Sequence, residues 1–281
     1  MGYLTGIKDF FFELMSPKTS ISFKKMRLLA RSPKLRERYA NKLPKCKPTK
    51  EVQQSKWLTL KDENKLVLES LYQKGYAEGI NLTPEAIEEL IIYCDNKVFT
   101  PDRDVMGGTE VQFSDKNAPG VSSIYSLMNP HNDSKVVQDL VELSPLKSLA
   151  QSYLGAMPVL MNSQIWYTFP IQGKANHHNF GFHYDVDDYK FLKFFFYLDK
   201  VDSDTGPHII ISGTHNESSA FKYFNRRISN NVAQKRYADK IVEMLGGAGA
   251  GFAEDTFCYH KGCFPNKRRL ILQIQFGISI K

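Results

Sequence analysis

Long apolar runs are missing from this chain. Nowhere in its 281 residues do about 18 apolar side chains follow one another, the length a membrane-spanning helix needs. The apolar opening, Met1 to Met15, already carries Lys8, Asp9 and Glu13, which fits neither a spanning helix nor a signal peptide. Cysteine is scarce as well. Cys46, Cys94, Cys258 and Cys263 form no CxxC pair, which argues against a disulfide framework or a zinc ribbon and for a reducing compartment. A cytoplasmic protein without a transmembrane segment is expected. No unit repeats at a fixed period, so solenoids and propellers are excluded. What is present is core material: 42% of the residues are hydrophobic and 24% charged, which excludes disorder, collagen and coiled coil.

Charge is unevenly placed. Residues 1–50 hold 13 Lys and Arg against 3 Asp and Glu, so this segment is strongly basic while the remainder of the +7 chain is slightly acidic. With Phe10, Phe11, Phe12 and Leu14 beside Lys24, Lys25, Arg27, Arg31, Lys34, Arg36 and Arg38, it can lie on an anionic membrane or a polyanion, or be a solvated arm. Lys42 to Lys56, rich in lysine and holding Pro44 and Pro48, reads as a linker. The expected division is a basic extension and linker over residues 1–60 and one domain over 61–281.

Inside that domain the pattern changes once. Residues 61–157 read as a helical layer: Leu68, Leu71 and Tyr72 precede Gly75, and Thr83-Pro84 opens a helix with Ile87, Leu90, Ile91 and Cys94 on one stripe. Ser144-Pro145 opens another, which Gly155 ends. After Pro158, β-branched and aromatic residues gather in runs at 159–169, 191–198, 208–211 and 269–280, separated by turns such as Asp204-Thr205-Gly206-Pro207. This predicts a mainly β, α+β architecture: an antiparallel jelly roll (double-stranded β-helix) over 158–281, with a polar lid insertion at about 216–245.

Chemistry concentrates in Gly181-Phe182-His183-Tyr184-Asp185. On a strand His183 and Asp185 share a face, as two ligands of one metal must. His260 is the candidate third ligand. Two histidines and one carboxylate form the facial triad that leaves three positions open on Fe(II). Arg269, opening the last strand run, can fork onto a carboxylate.

Together with Gly206-Pro207-His208-Ile209-Ile210-Ile211-Ser212-Gly213-Thr214-His215 and His260-Lys261-Gly262, these features stand in the order of the phytanoyl-CoA dioxygenase family, which residues 65 to 281 resemble. The resemblance implies a jelly-roll oxygenase in which His183, Asp185 and His260 ligate Fe(II) and Arg269 pairs with the distal carboxylate of 2-oxoglutarate. It further implies that O2 and 2-oxoglutarate are consumed, with succinate and CO2 released and a substrate C–H bond hydroxylated. Thr168 and Lys193 are the further cosubstrate contacts it suggests. Their alternatives are the wet face of a pleated strand and a solvated lysine. The family often has a polar residue two positions after the distal histidine, where this chain has Gly262.

Other candidates have plainer readings. His177 and His178 suit loop contacts with solvent or substrate, His215 a structural hydrogen bond, Asp187 and Asp188 surface carboxylates, and Cys258 and Cys263 buried inert thiols. The insertion carries Lys222, Arg226, Arg227, Lys235, Arg236 and Lys240, which predicts an anionic small-molecule substrate: a phosphorylated or nucleotide-linked sugar, a lipid head group or an acyl thioester. A nucleic-acid dioxygenase, an inactive jelly-roll metal or ligand binder and a zinc hydrolase are the competing readings.

Overall fold

The structure, a computed structural model, describes residues 20–44, 55–101, 111–112, 123–142, 145–170, 181–263 and 265–278. Cys46, His177, His178, the aromatic run at 10–12 and most of the expected linker lie outside the described residues. In chain order the elements are α1 (Ile21–Leu29), α2 (Pro33–Ala40), β1 (Leu58–Leu60), α3 (Asn64–Lys74), β2 (Tyr76–Glu78), β3 (Ile80–Leu82), α4 (Pro84–Asp95), β4 (Val98–Pro101), β5 (Val111–Gln112), β6 (Ile124–Met128), α5 (Lys135–Glu142), α6 (Pro145–Leu154) and β7 (Val159–Thr168). There follow β8 (Phe182–His183), β9 (Phe191–Tyr197), β10 (His208–Ile211), α7 (Ala220–Phe224), β11 (Arg227–Ile228), α8 (Asn230–Tyr237), β12 (Ile241–Met244), β13 (Gly251–Glu254), β14 (Tyr259–Gly262) and β15 (Arg269–Gly277). Among the described residues no helix is long and apolar enough to cross a membrane.

Two antiparallel sheets form the jelly roll. The larger runs β2-β13-β9-β15-β7-β6-β4-β5 and the smaller β11-β8-β14-β10-β12. Strand parity explains how one sequence serves two cores. On β15, Leu270, Leu272, Ile274 and Phe276 pack outward against Leu71, Leu90, Leu140 and Leu149 of the helices, while Arg269, Ile271 and Gln273 turn inward. On β9, Phe194 and Phe196 join the outer cluster and Phe195 and Tyr197 the inner one. The outer face of the smaller sheet, with Phe182, Ile209, Ile211 and Tyr259, forms a third cluster with Phe221, Ala233 and Tyr237 of α7 and α8.

The helix signals fold as read. Thr83 accepts a hydrogen bond from the Ala86 amide with Pro84 at the first position, and Gly75 closes α3 in the left-handed conformation at φ 81°. The layer before Pro158 is richer than expected. It also holds α5 and the short strands β2 to β6, of which β6 pairs with β7 and β2 with β13. Strands of two to five residues carry too little alternation to announce themselves, and tertiary pairing fixes them. The insertion is also more than a lid, because β11 and β12 within it form the two edges of the smaller sheet.

The basic segment is folded where it is described. Met26 of α1 and Ala30, which caps that helix, join the cluster containing Phe182, Tyr184 and Phe257. The Arg31 guanidinium donates to the Tyr223 carbonyl at 3.1 Å. Arg36 donates to the His215 carbonyl at 2.6 Å, lies 3.7 Å from the centre of the Phe257 ring and stands 3.9 Å from Asp255. These two cations are used inside the molecule. Lys25, Lys34 and Arg38 remain exposed.

Candidate metal centre

His183 and His260 come together because β8 and β14 are neighbours with the two histidines directly paired in register. Their ring centres are 4.5 Å apart. Two residues after His183, Asp185 leaves β8 with its amide bonded to the Thr256 carbonyl at 2.8 Å, which turns its carboxylate between the imidazoles. One Asp185 oxygen lies 3.8 Å from His183 Nε2 and the other 3.5 Å from His260 Nε2. One donor atom from each of the three side chains falls within 4.8 Å of the others, as donors around a single ion do.

Backbone carbonyls orient both rings. Nδ1 of His183 is 2.8 Å from the Gly181 oxygen and Nδ1 of His260 is 3.0 Å from the Cys258 oxygen, so each donates its Nδ1 hydrogen and leaves the Nε2 lone pair for a metal. Burial, reinforced by neighbouring His260, pushes the His183 pKa down to about 3. Burial alone would raise that of Asp185, but Lys193, His260 and His183 outweigh it and hold the carboxyl well below the usual carboxylate range. Neutral imidazole and ionised carboxylate are the forms that bind divalent ions.

Lys193, expected at the cosubstrate, is buried with Nζ 2.7 Å from one Asp185 oxygen and 3.3 Å from Asp187. Burial works against its charge, and the two carboxylates reverse that and raise its pKa. Arg269 faces Thr168 in the β15–β7 register. It donates through Nη1 to the Gly206 carbonyl and through Nη2 to Thr168 Oγ1 at 3.4 Å, while its buried Nε has no hydrogen-bond partner among the described residues. Burial lowers the Arg269 pKa, the sign of a cation lacking a counter-charge. Gly206 makes the turn possible at φ 69°, since a Cβ there would sit 2.6 Å from the Cys263 carbonyl.

His183, Asp185, His260, Lys193 and Arg269 line one cavity of about 270 Å³ between the sheets, shared with Gln164, Trp166, Phe195, Gln273 and Ile124, whereas Thr168, expected at the cosubstrate, is fully buried behind Arg269 and does not line it. Four residues of the neighbourhood differ from, or lie outside, what the sequence predicts. Asp187, expected as a surface carboxylate, lines the cavity and accepts from Lys193 and from Gln275 Nε2 at 3.2 Å. Asp188 is not on the surface either. Fully buried, it caps the chain end of β15 by accepting from the Ile278 amide at 2.8 Å. His208 and Glu254 carry no motif of their own in the sequence. Their Nε2 and carboxylate oxygen are 2.7 Å apart inside the barrel, and only strand parity, which puts both on inward positions, could have found them. His215 is the structural histidine expected, bonded to the Tyr72 carbonyl and to Cys258.

No protein-family model and no curated protein sequence matches the chain. Solved structures do. EvdO2 from Micromonospora carbonacea var. aurantiaca, complexed with 2-oxoglutarate, is 13% identical with a TM-score of 0.54, covering 79% of this chain and 94% of its own. EctD from S. alaskensis, with 2-oxoglutarate and 5-hydroxyectoine, is 17% identical with a TM-score of 0.53, covering 84% and 82%. The epimerase SnoN, in complex with Fe3+, alpha ketoglutarate and nogalamycin RO, is 14% identical with a TM-score of 0.50, covering 76% and 82%. At these identities the likeness establishes a shared fold: this chain is built on the jelly roll of those proteins, with a helical layer against it.

Proposed function

We propose that the chain is an Fe(II)- and 2-oxoglutarate-dependent oxygenase of the phytanoyl-CoA dioxygenase type, hydroxylating a small molecule with release of succinate and CO2. The observation that carries this reading is one cavity holding both a His183–Asp185–His260 donor set and Arg269 with a buried Nε that has no partner among the described residues. The donor set fits Fe(II), and the arginine fits a carboxylate, so the residues present suit both groups. Bound together, iron and 2-oxoglutarate supply the means of activating O2 against a substrate C–H bond.

The side chains divide the remaining work. His183 and His260 offer Nε2. Lys193 engages one Asp185 oxygen, which leaves the other to ligate and makes Asp185 a one-oxygen donor. Arg269 takes the distal carboxylate, with Thr168 and the Gly206 carbonyl fixing its plane. Trp166 and Phe195 provide apolar wall that keeps water from the centre. The structural neighbours bind such groups, and their small-molecule ligands support a small-molecule substrate here. Exposed Arg227, opposite His183 in register, supports an anionic group on it. The other insertion cations lend less: Lys222 is turned onto the Phe257 carbonyl at 2.8 Å and Arg236 lies over Phe221, and no insertion side chain lines the cavity among the described residues.

The test is an anaerobic titration of metal-free protein with Fe(II) and 2-oxoglutarate, followed by the visible charge-transfer band of the chelate. Wild type should develop the band, Asp185→Ala should not, and Arg269→Ala should need at least about tenfold more 2-oxoglutarate, the loss of a charged hydrogen-bonded contact. A wild type without the band would leave a metal- or ligand-binding jelly roll in place of an oxygenase.

A further inference from the structure

The cavity contains a buried polar pair that this division of labour leaves unused. His208 on β10 is 8% exposed and Glu254 on β13 is fully buried, and Glu254 grips Nε2 of the ring at 2.7 Å. Burying such a pair costs free energy that an apolar pair of the same volume would not. Its position is specific. His208 stands opposite Gly262 in the β10–β14 register, so no side chain from β14 occupies the space its imidazole faces. The ring stacks on that of His260 at 5.3 Å and packs 5.2 Å from Phe195, which places it beside the proposed iron ligand. Arg269 lines the same cavity. With Nε2 held by Glu254, Nδ1 is the polar atom left over, and it has no partner among the described residues although His208 lines the cavity. Nδ1 of His208 and the buried Nε of Arg269, neither bonded to a partner among the described residues, therefore belong to the same cavity.

Resting on the oxygenase reading, we propose that His208 is a second anchor for the distal carboxylate of 2-oxoglutarate, its Nδ1–H donating to one oxygen while Arg269 holds the other, with Glu254 as the positioning residue that fixes the ring. An anion beside Nδ1 favours the state in which one proton is shared between Nε2 and the Glu254 carboxyl and Nδ1 carries a hydrogen. His208 thereby supplies, from β10, a polar contact that Gly262 on the facing strand does not.

The experiment is anaerobic calorimetry of Fe(II)-loaded protein with two probes: 2-oxoglutarate, and pyruvate, which keeps the chelating keto acid but lacks the distal carboxylate. His208→Leu should weaken 2-oxoglutarate about tenfold and leave pyruvate within about twofold. His208→Asn, whose amide nitrogen stands near the position of Nδ1, should recover most of the loss. His208→Gln, which reaches the position of Nε2 and can only keep the Glu254 contact, should not. Recovery in the Asn variant also shows that the loss in Leu is not misfolding. Equal weakening of both probes would overturn the proposal by assigning the ring to support of His260, and so would rescue by Gln instead of Asn, or no effect at all. Wild type that binds pyruvate as tightly as 2-oxoglutarate has no distal anchor, which sinks the role of His208 but spares the iron site. Wild type that binds neither probe overturns the oxygenase reading itself.

Discussion

At the residue scale the barrel interior separates charges that must stay from charges that burial removes. Asp185 remains ionised because three cationic or polarisable neighbours surround it, whereas Glu254, equally buried, is pushed up from its usual 4.5 to about 8, chiefly by burial. That shift has a sign. Between pH 4.5 and 8 the folded chain holds a proton at Glu254 that the unfolded chain has lost, so this group's contribution to stability is full below 4.5 and disappears as pH rises through 8. The stability of wild-type metal-free protein minus that of Glu254→Gln should therefore fall as pH rises, by at most about 1.4 kcal/mol per pH unit. Taking the difference cancels His183 and Lys222, which titrate in both proteins. Urea unfolding at pH 5 and pH 8 measures it, and a difference that is flat or rises with pH contradicts the burial argument.

Elements rather than residues decide how the N-terminal helices belong to the domain. From its position on α2, Arg36 reaches the His215 carbonyl, the Phe257 ring and Asp255, while Asp255 is also held by Tyr153 Oη at 2.6 Å and by the Phe257 amide at 2.9 Å. The segment Asp255–Cys258 that α2 clamps leads directly into β14 and His260. Arg36→Met should destabilise the protein by about 2 kcal/mol, below the full cost of breaking a buried ion pair because Asp255 keeps two other donors. The readout is the urea midpoint at unchanged m-value, and a loss under about 0.5 kcal/mol would mean that the helices rest on the domain without bracing it.

For the whole molecule, ligand binding and folding are linked because the centre exists only once strands far apart in sequence have paired. His183, Asp185 and His260 are scattered in the unfolded chain, so anything that binds their folded arrangement stabilises the fold. Fe(II) with 2-oxoglutarate at about 100 times its dissociation constant should add about 2.7 kcal/mol and raise Tm by roughly 5 °C under anaerobic conditions. Asp185→Ala should show no such rise. A rise of equal size in that variant would place the binding elsewhere.

What the sequence determined by itself is whatever depends on distance along the chain. Side-chain parity puts His183 and Asp185 on one face of a strand, the alternation of β7, β9 and β15 tells inward from outward residues, and Thr83-Pro84 and Gly75 start and stop helices with their own atoms. These are local sterics and local hydrogen bonds, and they survive without any knowledge of neighbours. Tertiary structure alone decided the rest. Only the β8–β14 register sets His260 against His183, only the packing of β9 turns Lys193 onto Asp185, and only the fold buries Asp188 and Arg36, residues whose charge made them look like surface. The physical reason is that register and burial are cooperative quantities. Each is fixed by the sum of many contacts between strands remote in sequence, and no short stretch of the chain carries that sum.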